Sequence, residues 1–232
     1  MLRILCPGSR INWKYILGEL FLIALGIMIA LQINNWNEGR KAKIRKQKIL
    51  REIKGALELD YEHQILNRQE RIRKIQDALD QVLKQFSKEE TFPDSLGDEL
   101  WQMAWSVNFE PNTFAFESLG GKGLELIKDE KLRQTLVYLY DFAYPNLQFF
   151  TKSFNEWSKD RVEPFMLNNF EYQSKGRRKA YIPLDYKKIR KSLFFSNILR
   201  KRQDYLIDLN SRYERAGKHI QRIIQQIEKS IE

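Results

Sequence analysis

The stretch from Trp13 to Trp36, WKYILGELFLIALGIMIALQINNW, limits what this chain can be, because from Tyr15 to Ile33 its only charged residue is Glu19. A helix crosses a hydrocarbon core of about 30 Å with about 20 mostly apolar residues, and Trp13, Tyr15 and Trp36 stand where amphipathic rings meet the two interfaces. The expectation is a transmembrane helix over 13–36 behind a short tail over 1–12. A cleaved signal peptide has a shorter apolar core and ends in small residues, whereas this run ends in Gln32, Asn34, Asn35 and Trp36. A lipoprotein reading of Cys6 fails as well, since the apolar run follows the cysteine instead of preceding it.

Glu19 is the one costly residue in the span. It lies about one turn from Lys14, so its plain reading is a carboxylate that reaches the interface. A sharper reading notes that Glu19, Gly26 and Ile33 are spaced by seven and that Gly26 and Ala30 form a small-xxx-small pair. One face of the helix is then both polar and thin, and Glu19, Gly26 and Ala30 are candidates for contact with another helix in the membrane. Orientation stays open. Arg3, Arg10 and Lys14 precede the span while Arg40, Lys41, Lys43, Arg45, Lys46 and Lys48 follow it, which by charge puts the domain in the cytoplasm. A long domain behind an uncleaved anchor can nevertheless be exported.

The remainder, 37–232, is expected to be one soluble all-α domain. Hydrophobic content of 43% with 12% aromatic residues supplies a core, so the charged share of 30% does not signal disorder. Ile49, Ile53, Leu57, Tyr61 and Ile65, then Ile72, Ile75, Leu79, Val82 and Phe86, recur with helical spacing. The transmembrane helix is expected to continue into this long helix, with Gly39 and Gly55 as its bends. Leu206, Leu209, Tyr213, Ala216, Ile220, Ile223, Ile227 and Ile231 form a heptad seam, read as packing against the first helix within the chain in preference to a coiled coil between chains. Between them Pro93, Pro111, Gly120, Gly121, Gly123, Pro145, Pro164, Gly176 and Pro183 mark several shorter helices rather than strands. Ser95 with Asp98, Asp129 and Asp185 are the expected caps, Asp185 opening the last helix, and Lys175 to Lys179 is read as a solvated hairpin tip.

The chemistry available is narrow. A net charge of +10 makes anionic neighbours plausible, and the single cysteine excludes paired-cysteine metal or redox motifs. His63 and His219 lie in no metal-binding spacing, and the GGKG run from Gly120 lacks the order of a phosphate-binding loop, so no metal, cofactor or catalytic residue is expected. Basic stretches at 41–54 and 177–202 carry no recognised nucleic-acid module, and lipid head groups explain the first of them more simply. Trp101, Trp105, Phe109, Phe114 and Phe116 cluster in the centre of the chain near Glu110, Glu117, Glu125, Asp129 and Glu130. These aromatics read first as core, and alternatively as the lining of a pocket.

Tyr15 to Glu38, YILGELFLIALGIMIALQINNWNE, resembles the N-terminal signature of a family of uncharacterised single-pass membrane proteins of Bacteroidota: a Gly-Glu pair, an apolar run, and the ending ALQINNWNE. Thr113 to Asp141, TFAFESLGGKGLELIKDEKLRQTLVYLYD, is similar to a second segment of that family, with a turn richer in glycine. The resemblance implies the architecture and a bacterial inner membrane, and it supplies no activity. The function expected is therefore a membrane-anchored interaction or scaffolding protein without catalysis, partnered by the bilayer and by another protein or a second copy. The alternative is a membrane-tethered ligand-sensing domain that acts through a partner.

Overall fold

The computed structural model describes residues 13–88 and 91–231, so the 1–12 tail with Arg3, Cys6 and Arg10 lies outside the described residues, as do the side chains of Lys14 and Tyr15. The chain is 81% helical, which makes it all-α as expected. It divides into two compact units, one reaching to Lys48 and the other beginning at Ile49.

Helix α1, Trp13–Leu59, passes through Gly39 and Gly55 without a break. An isolated glycine weakens a helix by only about 1 kcal/mol, so helical hydrogen bonding continues through both positions. The departure from α geometry comes later, where Asp60–Leu66 winds as π-helical turns before α2, Asn67–Lys88. Asp60 and Ile65, five apart, both face inward there, as i→i+5 winding requires. Among the described residues, none from Ile16 to Lys48 is buried.

In the second unit, α3 (Leu96–Met103) precedes an irregular stretch, then α4 (Phe114–Glu117), α5 (Gly120–Leu124) and α6 (Glu130–Tyr138). The left-handed φ of +56° at Gly120 lets the chain turn between α4 and α5. Two more π turns, Leu139–Ala143 and Ser158–Val162, flank α7 (Tyr144–Trp157), and α8 (Glu163–Asn169) follows. Strands β1 (Phe170–Lys175) and β2 (Arg178–Pro183) form an antiparallel hairpin that turns through Gly176 at φ +61°. This corrects the expectation of helices alone between the long ones. The Lys175 to Lys179 stretch is the tip of that hairpin and the ends of its strands.

Asp129 caps α6 by accepting from the Leu132 amide at 3.0 Å, and Asp185 caps the short α9 (Tyr186–Arg190) by accepting from Lys188 at 2.9 Å. The last helix, α10 (Leu193–Ile231), starts after Ser192 and not at Asp185; the Ser192 hydroxyl accepts from the Phe195 amide at 3.2 Å. Ser95 makes no capping bond, because it already has helical backbone angles, and Asp98 instead pairs with Arg178 at 2.9 Å.

The seam of α10 is buried inside the chain, with Leu206, Tyr213, Ile220, Ile223 and Ile227 at 2% exposure or less, against α2, α6, α7 and the first π turn. Gly217 permits the close approach. A Cβ there would lie 3.0 Å from Ile65 Cγ2 and 3.4 Å from the Tyr61 ring.

Candidate functional site

Between Met103 and Thr113 the chain reads WSVNFEPN after Ala104 and is neither helix nor strand, yet Val107 and Phe109 are buried. Pro111 removes a backbone donor, and the β-branched Val107 and the asparagines at 108 and 112 weaken any helix. Buried backbone amides and carbonyls need partners all the same. Side chains from the surrounding helices provide them.

Arg71 Nε donates to the Ser106 carbonyl at 2.6 Å. Asn155 of α7 brackets Val107: its Oδ1 accepts from the Val107 amide at 3.1 Å and its Nδ2 donates to the Val107 carbonyl at 2.6 Å, as a neighbouring strand would. Further along, the Glu110 amide donates to Gln64 Oε1 at 3.1 Å and the Asn112 amide to Asp60 Oδ1 at 2.8 Å. Arg202 of α10, with no exposed surface, closes the near end. Its guanidinium donates to the carbonyls of Met103 and Trp105 and to Ser158 Oγ, the last two at 2.6 Å. Burial lowers the Arg202 pKa to about 9, which still leaves the group charged at neutral pH. Its Cζ also sits 4.6 Å from the centre of the Phe154 ring.

At the other end Asp60 is buried on the first π turn, where the Tyr144 hydroxyl donates to its Oδ2 at 2.9 Å. Burial raises its pKa above the usual carboxylate value, and the bonds from the Asn112 amide and Tyr144 act against that rise. Tyr144 and Tyr140 are themselves pushed upward, by burial first and by the Asp60 charge second. Tyr140 OH is buried and has no hydrogen-bond partner among the described residues.

Beside this pinned crossing lies a cleft of about 500 Å³, walled by α2, the end of α3, the third π turn, α8 and β2. Trp101, Trp105, Val162, Met166 and Tyr181 give it an apolar lining, and Arg71, Asn155, Lys159 and Glu163 its polar groups. The Arg71 guanidinium stands 4.7 Å from the centre of the Trp105 ring, and the Lys179 ammonium 5.0 Å from that of Trp101. Its volume falls within the ~300–1,000 Å³ of small-molecule sites.

Of the five aromatics singled out in the sequence, Trp101 and Trp105 share this cleft. The other three go elsewhere. Phe109 is buried edge-on between Tyr144 and Tyr213, at 5.4 and 5.7 Å between ring centres. Phe116 stacks on Tyr140 at 4.2 Å beside a separate hollow of about 190 Å³, and Phe114 is 78% exposed. Glu19, Gly26 and Ala30 lie exposed on α1, and a Cβ at Gly26 would meet nothing within 4 Å. Among the described residues no group of three histidine, cysteine, aspartate or glutamate side chains is placed to hold a metal.

Sequence reasoning missed Asp60, Arg71, Asn155 and Arg202. Two of them carried a signal. Arg202 falls three residues after Leu199 and four before Leu206, and Asp60 falls three after Leu57, so each places a charge on a face that is otherwise apolar.

Fold and cleft together define a helical domain with a small-molecule-sized hollow, behind an N-terminal helix long and apolar enough to cross a membrane. The chain belongs to DUF6090, a family of unknown function, which matches residues 19–177. The matched region takes in the apolar helix from Glu19 and most of the cleft wall, including Arg71, Trp101, Trp105 and Glu163, and it ends before Tyr181 and Arg202. No curated protein and no solved structure matches the chain.

Proposed function

We propose that this is a single-pass membrane protein whose helical domain is a non-catalytic binding module, engaging another protein or a second copy of itself. The observation that carries the anchor is the first unit: from Ile16 to Ile33, twelve large apolar side chains are exposed, with Phe21 and Leu22 at 67%. Full burial of each is worth roughly 1.5–3 kcal/mol, so leaving all of them about half exposed to water forfeits roughly 10–20 kcal/mol, as much as the whole stability of a typical domain, about 5–15 kcal/mol. Lipid is the covering that this helix fits. The resemblance to membrane proteins of Bacteroidota supports a bacterial inner membrane.

Glu19, Gly26 and Ala30 supply the thin face on which a partner helix would dock. The absence of catalysis is supported by how the inward-facing polar groups are used, since buried Asp60 and Arg202 and half-buried Asn155 all spend their hydrogen bonds on the 103–112 backbone or its neighbours. A second reading, ligand sensing, is favoured by one observation: two of the central tryptophans line a cleft of ligand size.

The test is to wash membranes carrying the full chain with alkaline carbonate. Retention in the pellet is expected. Release into the supernatant, or recovery of a chain trimmed after the apolar run, overturns the anchored reading.

A further inference from the structure

Cationic side chains gather at the Trp101 and Trp105 cleft without carboxylate partners. Arg71 and Lys159 line it, Lys179 lies against Trp101, and Arg202 is sealed behind Ser158 and the Trp105 carbonyl. Among the described residues none of the four has a carboxylate within 4.0 Å. Glu163 is the single acidic residue on the lining. Low-dielectric walls strengthen the field of such a group, so the cleft attracts negative charge.

Arg71 is shaped to use that field. Its Nε is committed to the Ser106 carbonyl and its Cζ lies 4.7 Å from the centre of the Trp105 ring, while its terminal nitrogens donate to nothing among the described residues. A guanidinium fixed in this way offers a ready fork for a planar carboxylate. About 500 Å³ is far more than a bare oxyanion fills, and Trp101, Val162 and Met166 present apolar surface for the rest of a ligand. Glu163 at the same cleft disfavours a dianion, because like charges at close range repel.

We propose that the cleft binds an organic monocarboxylate with an aromatic or apolar body, its carboxylate held by Arg71 and Lys159 and its body against Trp101 and Met166. This deepens the ligand-binding reading of the cleft and rests on it.

The test uses the full chain in lipid nanodiscs, titrated calorimetrically with three probes that share one ring system: indole-3-acetate, indole-3-acetamide and tryptamine. Heats from empty discs are subtracted. Indole-3-acetate is expected to bind, with the amide about tenfold weaker and tryptamine weaker still, since a charge-assisted bond separates them. Arg71→Gln is expected to weaken the carboxylate by about tenfold, and Glu163→Gln to tighten it severalfold. Should Arg71→Gln fail to fold, the Glu163→Gln result decides, and unchanged or weaker carboxylate binding there counts against the proposal. Equal binding of the three probes, or preference for tryptamine, overturns the anionic assignment while the cleft remains a ligand site. If none of the three binds, the ligand-binding reading falls with it and the membrane anchor is untouched.

Discussion

Asn155→Ala tests the pinned crossing most sharply. Among the described residues, the substitution removes the only groups that bond the amide and carbonyl of Val107, a residue with no exposed surface. A buried backbone group left without a partner costs about 1–3 kcal/mol, so two of them set a range of about 2–6 kcal/mol. Asn155 also lines the cleft, where water can reach one of the two, which brings the expected loss to about 2–4 kcal/mol. Urea unfolding of the detergent-solubilised chain, followed by tryptophan fluorescence, reads this loss, with Trp101 and Trp105 close by as reporters. Asn155→Asp separates hydrogen bonding from packing: it keeps the shape and the acceptor for the amide, and turns a carboxylate oxygen toward the Val107 carbonyl. It is expected to be as damaging at neutral pH and to recover in acid, where a protonated carboxyl donates again. A loss below about 0.5 kcal/mol for Asn155→Ala refutes the claim that side chains take the place of a neighbouring strand.

Three further outcomes follow from the packing and the charges. Because burial raises the Asp60 pKa, the folded state binds its proton more tightly than the unfolded state, and ionisation costs stability. The unfolding free energy of Asp60→Asn relative to wild type should therefore rise as pH increases from the ordinary aspartate range through the raised value, then level off; urea midpoints across pH 4 to 8 check this, and a falling difference contradicts it. Gly217→Leu places a side chain against Ile65 and Tyr61 and should cost about 1–3 kcal/mol, with no loss pointing to a looser α10 interface. Arg178→Ala breaks an exposed pair with Asp98 and should change stability by at most about 1 kcal/mol, again by urea unfolding.

The long elements could be read from the sequence because their apolar spacing reports one buried face at a time. Ile53, Leu57, Ile72, Ile75 and Leu79 on one side, and the seam from Leu206 to Ile227 on the other, all lie where that spacing puts them. Asp129 and Asp185 could be read as caps because their role depends on residues three positions away. The hairpin at 170–183 was harder. Its strands carry Glu171, Lys175, Arg178 and Lys179, and the pattern looks like loop until Gly176 is seen to allow the turn. Nothing local marks the π turns, whose extra residue per turn is set by what packs inward. The cleft was legible only in part: Trp101 and Trp105 are near each other in sequence, while Arg71, Asn155, Lys159 and Tyr181 reach it from four other elements. Phe109, Phe114 and Phe116 look equivalent to the tryptophans in the sequence, and separate only once the chain has crossed the bundle.

Hydrogen exchange of the full chain in lipid vesicles, resolved by mass spectrometry, addresses the anchored architecture directly. An unpacked helix in water frays and exchanges quickly, whereas one in hydrocarbon has no water to exchange with. Peptides covering Ile16 to Ile33 should stay protected for hours, although none of the described residues buries them. Exchange of that segment within minutes, while the bundle remains protected, would contradict the account.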